Sequence, residues 1–274
     1  MLGKRILTAL VLLAIFVPVT MFAPLWAFGA LIGVVVMCAA WEWARLLKTG
    51  FVGAAGYVLA MAVVVALVAR HWSGWRVDAS ALFRAASVFW VVVGPYVLIR
   101  RPPLATGVWR IFLLLAGFVV FAACWRALLE ARSMGVAFVF SLLLIVWLAD
   151  IGAYFAGRAF GRHKLASAIS PGKTWEGAAG GWLATMIVAA AAIALHVFEP
   201  TMYSALAQHW GMGGALAILT VLVAFSVLGD LFESVLKRQA NKKDSGSLLP
   251  GHGGVLDRID ALLPVLPLAM LFAR

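Results

Sequence analysis

Apolar runs of close to 20 residues recur along nearly the whole chain, each broken by a few charged, Gly or Pro positions. About 20 apolar residues are enough to cross a bilayer as a helix. The pattern predicts helices near 6–22, 25–44, 52–69, 82–99, 110–129, 135–157, 177–198 and 212–232. The apolar end at 261–273 is a ninth candidate, short for a span and carrying Pro264 and Pro267. The expected fold is all-α, a polytopic transmembrane helical bundle of 8 to 9 helices, forming one integral membrane domain over 1–274.

Composition removes the soluble alternatives. The chain is 65% hydrophobic and only 12% charged, where a soluble domain would be about 25% charged. There are 22 Lys and Arg against 11 Asp and Glu. Cationic loops facing anionic lipid and anionic substrates account for this balance without nucleic acid. Cys38 and Cys124 both fall inside apolar runs, so neither a disulfide framework nor a Cys/His metal spacing is expected. The start, MLGKRILTALVLLAIFVPVT, resembles a secretory signal, but no small-x-small site follows, and it reads as an uncleaved first helix. Trp26, Trp41, Trp43, Trp72, Trp75, Trp109, Trp175 and Trp210 gather near predicted helix ends, as in an interfacial belt. Trp90 and Trp147 suit ordinary packing better.

Threading the helices through a membrane from a cytoplasmic N-terminus puts sixteen of the 22 Lys and Arg on one face. The positive-inside rule favours that orientation. The loop after the sixth helix and the segment 234–260 then share the cytoplasmic face. The GxxxG spacings at 29–33 and 177–181 are expected by chance among 26 glycines and carry no weight. No internal repeat or long linker stands out.

Candidate chemistry concentrates late in the chain. SVLKRQANKKDSGSLLPGHGGVLDRID, 234–260, holds Lys237, Arg238, Lys242, Lys243 and Arg258 beside Asp244, Asp257 and Asp260. If the eighth helix continues, Asp230, Glu233 and Lys237 share one face. Carboxylates grouped at a water–membrane boundary suit Mg²⁺, a hard cation that takes few carboxylates and leaves room for phosphate oxygens. The turn at 251–254, with His252, Gly253 and Gly254, fits a backbone that approaches phosphate closely. A glycine turn before a helix reads the same way. Asp150 lies within the sixth apolar run, where a carboxylate normally faces a polar interior or a partner. SPGKTWEG, 170–177, is not a P-loop: Ser167 stands where the pattern needs Gly, and no strand is expected before it. Ser170, Lys173 and Thr174 still suit phosphate contacts, and Pro171 with Glu176 equally suits an ordinary helix start.

The segment 234–260 resembles the signature of the phosphatidate cytidylyltransferase family, also called CDP-diacylglycerol synthases. The matching positions are Ser234, Lys237, Arg238, Lys243, Asp244, Gly246, Leu249, His252, Gly253, Gly254, Asp257, Arg258 and Asp260. WLADIGAYFAGRAFGR and SPGKTWEG resemble the family's two other segments in the same order, with Gly172 where many relatives carry a second Lys. The resemblance covers about 147–260, which makes 133–274 the expected catalytic half and 1–132 about five N-terminal helices. It implies transfer of the cytidylyl group of CTP to phosphatidic acid, at a bacterial inner membrane, with Mg²⁺ and room for a second cation, monovalent or divalent. It also suggests a homodimer. Asp230 and Asp257 are the implied metal ligands, with Asp260 supporting them and Lys237 and Arg238 completing the catalytic set. Ser170, Lys173, Thr174, Lys243, Asp244, His252, Gly253, Gly254, Arg258 and Asp150 are the expected substrate contacts. The competing readings are a polyprenol kinase-like phosphotransferase, disfavoured by the complete signature, and a transporter, disfavoured by the lack of a repeat with interrupted helices.

Overall fold

The computed structural model describes residues 2–74 and 79–273. The helices in chain order are α1 (Leu2–Phe22), α2 (Leu25–Leu46), α3 (Gly50–Gly74), α4 (Ser80–Val88), α5 (Gly94–Arg100), α6 (Gly107–Met134), α7 (Val136–Phe160), α8 (Trp175–Ala194), α9 (Met202–Gln239), α10 (Leu256–Ile259) and α11 (Leu262–Phe272). A π-helical segment, Phe89–Val93, joins α4 to α5 into one rod just before Pro95, which cannot donate to the helical ladder. Seven helical stretches among the described residues are long and apolar enough to cross a membrane. The all-α membrane bundle is therefore the observed architecture.

Three expectations about the elements change. A small antiparallel hairpin, β1 (Lys164–Ala166) and β2 (Ser170–Thr174), precedes α8, so SPGKT is itself a strand. The eighth predicted helix, 212–232, does not stop at 232 but runs through Gln239; a break where Gly211 adopts φ 67° sets its start and separates it from a preceding helical stretch that begins at Met202. Its start is a reciprocal cap between Thr201 and Ser204. The last apolar stretch is a helix of 11 residues, about 16 Å long, against a hydrocarbon core of about 30 Å. It is buried over Leu262–Met270 and packs on α9, α6 and α4, which makes it a core element and not a span.

The GxxxG pair at 177–181 also turns out to matter. α7 and α8 form the most extensive helix pairing in the molecule, and a Cβ added to Gly152, Gly180 or Gly181 would collide with backbone or Cβ atoms of the facing helix. Close approach through small residues is a standard way for membrane helices to associate. Trp43 leaves the predicted belt: it is 1% exposed, donates from Nε1 to the Leu113 carbonyl at 3.1 Å and stacks on Phe232. Trp26, Trp175 and Trp210 are exposed, as a belt requires. Trp75 and the side chain of Trp72 lie outside the described residues.

Candidate active site

α9 continues helically past the apolar run, so Glu233 and Lys237 meet on one face and form an ion pair. Lys237 also donates to Asp257 Oδ1 at 2.7 Å. The next two residues reach elsewhere. Arg238 Nε donates to the Ile169 carbonyl in the hairpin, and the Gln239 amide bonds both Pro102 and Leu104. Three consecutive side chains at the end of α9 thus fasten three separate segments around one place.

Asp230, two turns earlier, lines an open cavity of about 270 Å³ between α7, the hairpin, α8 and α9. Its Oδ2 lies 2.6 Å from Lys173 Nζ. Asp150, Tyr154, Lys173 and Thr174 also line this cavity, among small residues such as Ala153, Gly177 and Gly181. Asp150 is exposed toward this space, and the charges acting on it come from Asp230, Lys173 and Arg258. Arg158 instead bonds Tyr154. Two loops far apart in sequence are therefore brought together, and Asp150 joins them.

Asp257 sits beyond the cavity lining in a dense set of donors. Its Oδ2 accepts from Ser245 N at 2.9 Å and Gly254 N at 2.8 Å and lies 2.9 Å from Ser245 Oγ, while Oδ1 takes Lys237. Burial pushes this carboxyl up, but the Lys237 bond and charge together with the two backbone donors outweigh it, and Asp257 stays below its usual range. Asp260 is buried and shifts the other way, through burial first and the like charge of Asp230 second. Across this network five carboxylates, Asp150, Asp230, Glu233, Asp257 and Asp260, interact with three cations, Lys173, Lys237 and Arg258. Among the described residues no three Asp, Glu, His or Cys side chains gather as a metal cluster.

Other expected substrate contacts also make bonds within the protein. Thr174 caps α8, its hydroxyl accepting from Gly177 N at 3.1 Å, so its oxygen serves the helix start. Glu176 accepts from the Arg162 and His163 backbone N–H groups and meets the His163 ring at 2.5 Å, pinning the hairpin to α8. In the glycine turn, His252 N donates to the Leu249 carbonyl and Gly254 N to Asp257, so both N–H groups have partners within the protein. Arg258 donates to the His252 carbonyl. Ser170 is half-buried in β2, Gly253 adopts φ 82° in the turn, and Arg238, Lys243, Asp244 and Arg258 are exposed.

One buried neighbour of these residues was missed entirely. Glu42 on α2 is 1% exposed and accepts hydrogen bonds from Ser245 Oγ and Leu256 N, both at 2.8 Å. The signal was present in the sequence. Glu42 is a lone carboxylate inside an apolar run, the same observation that singled out Asp150.

The class of protein is thus an integral membrane helical bundle whose helix ends gather carboxylates, ammonium groups and a glycine turn. A sequence profile of the Cytidylyltransferase family matches residues 3–274, and the chain belongs to that family. It is 40% identical to a phosphatidate cytidylyltransferase of Pseudomonas aeruginosa, over 100% of this chain and 98% of the relative. It is 33% identical to one from Haemophilus influenzae, over 97% and 96%. A Staphylococcus aureus relative of the same name is 32% identical over 96% of each chain. The similarity therefore includes the N-terminal helices, where the motifs alone had implied helix content only.

Proposed function

We propose that this protein transfers the cytidylyl group of CTP to phosphatidic acid, giving CDP-diacylglycerol and pyrophosphate. The observation that carries the reading is the junction of the two motif regions: Lys173 of the hairpin on Asp230 of α9, and Lys237 of the same helix on Asp257. A phosphate oxygen of phosphatidic acid forms the new bond to the α-phosphorus of CTP. The bond from that phosphorus to the β-phosphate oxygen breaks, and its electron pair leaves with pyrophosphate. The lipid phosphate is already anionic near neutral pH, so no strong base is needed. The protein's task is to hold two polyanions together and offset charge at the reacting phosphorus.

Lys173, Lys237 and Arg258 supply the cationic field, and Arg238 and Lys243 lie exposed at its edge. Asp230, which lines the cavity, offers the hard carboxylate oxygen that Mg²⁺ takes. Asp230 and Asp257 would hold it and leave its remaining positions to phosphate oxygens. When bound, such an ion would offset charge on the phosphates as a Lewis acid. Sixteen of the 22 Lys and Arg on one face support a cytoplasmic site. The relatives come from bacteria, and a bacterial inner membrane is the setting proposed for this chain.

Incorporation of radiolabelled CTP into lipid, with and without phosphatidic acid, tests the reading. Label should enter lipid only when phosphatidic acid is supplied, and Asp257→Asn should abolish it. Lipid-independent incorporation, or near-normal rates in Asp257→Asn, would defeat it.

A further inference from the structure

We propose that Glu42 is a positioning residue for Asp257, acting through the Ser245 hydroxyl; the inference rests on the assignment of Asp257 to the reacting site. Glu42 belongs to α2 and to none of the motifs above, yet its carboxylate lies beneath the glycine turn. Its Oε2 receives Ser245 Oγ and the backbone N–H of Leu256, one residue before Asp257. Ser245 in turn faces Asp257 three ways: its N–H and hydroxyl lie 2.9 Å from Oδ2, and its Oγ lies 3.3 Å from the Asp257 N–H. The hydroxyl has one proton and two carboxylates at bonding distance. Its orientation, and so the number of donors on Asp257, depends on Glu42.

The surroundings are built for this carboxylate. A Cβ at Gly246 would collide with Glu42 Oε1, and a Cβ at Gly254 with Glu42 Oε2 and Ser245 Oγ. Two small positions of the segment are thus explained by a side chain more than 200 residues earlier. Glu42 Oε1 is buried with no hydrogen-bond partner, and among the described residues no cation forms an ion pair with Glu42. An unpaired buried carboxylate is costly to a fold. An apolar side chain of similar shape would serve packing at least as well, so the carboxyl group here points to a role in the site. Groups that orient a reacting carboxylate from behind typically change affinity or activity by about 10–100-fold when removed.

The test uses the full chain in detergent. It compares Glu42→Ala, Glu42→Gln, Ser245→Ala and the Glu42→Ala/Ser245→Ala pair. Three quantities are followed: melting temperature, Mn²⁺ binding by the spin-resonance signal of the free ion, and the kcat and KM for CTP of CDP-lipid formation. Glu42→Ala and Ser245→Ala should each lower kcat and Mn²⁺ affinity about 10–100-fold with KM little changed. The pair should fall no further than the worse single variant. Glu42→Gln keeps an acceptor for Ser245 and Leu256 and should recover part of the loss. Losses that multiply in the pair, or a folded Glu42→Ala altered only in melting temperature, would overturn the proposal. Should Glu42→Ala fail to fold, unchanged kcat in both Ser245→Ala and Glu42→Gln would overturn it equally. Should Asp257→Asn leave Mn²⁺ binding unaltered, the metal assignment fails by itself. The kcat comparison of the pair with its singles then decides the case for Glu42.

Discussion

Lys173 Nζ lies 2.6 Å from Asp230 Oδ2, joining the hairpin before α8 to the last third of α9. Both side chains are a quarter to a third exposed, and pairs that open to water contribute only about 0–1 kcal/mol to stability. Their value lies in placing an ammonium and a carboxylate at one cavity wall. Lys173→Met should therefore lower kcat about 10²-fold with little change in melting temperature. A variant of normal rate and lowered melting temperature would make Lys173 a strut.

Gly172 lines the same cavity, and a Cβ there would meet nothing within 4 Å. Gly172→Lys should fold with a stability within about 0.5 kcal/mol of the parent. The added ammonium should lower KM for CTP, most visibly at low ionic strength. Steady-state kinetics at two salt concentrations would check it, and an unchanged or raised KM would place position 172 away from the triphosphate.

The α7–α8 contact gives a stability prediction. Gly181→Ala drives a methyl into the Ala149 carbonyl, an overpacking that costs about 1–3 kcal/mol. Gly213, in α9 with nothing within 4 Å of its Cβ position, is the matched control. Gly213→Ala should be neutral or stabilising by up to about 1 kcal/mol. Thermal unfolding in detergent should separate the two, and equal melting temperatures would contradict the close approach.

Orientation can be read from Ser247, which is exposed in the loop after α9, whereas Ser245 is 1% exposed and a poor labelling site. With Cys38 and Cys124 replaced by Ala, Ser247→Cys should react with a membrane-impermeant maleimide in inverted vesicles and stay unlabelled in intact cells. Labelling in intact cells would reverse the topology.

Much of the fold was legible because a membrane span is a local property. Twenty apolar residues between polar breaks specify a helix whatever its neighbours do, and the expected helices were all found with shifted ends. The departures share one cause. Pro267 and the short apolar end could not say whether α11 crosses or is buried, since that depends on which helices surround it. The glycines at 177 and 181 were indistinguishable from chance until α7 lay against them. The glycine turn looked like a phosphate cradle, yet Gly254 N–H serves Asp257 and His252 N–H serves Leu249.

By itself, the sequence determined the membrane class, the helix order and the residue types that gather at the site, because hydropathy, helical period and motif spacing act over a few turns of chain. Only the tertiary structure decided which carboxylate meets which cation. Lys173 on Asp230, Lys237 on Asp257 and Glu42 beneath Ser245 join segments that are distant along the chain. Such pairings depend on burial and on the direction of each side chain, and both are fixed only when the helices pack.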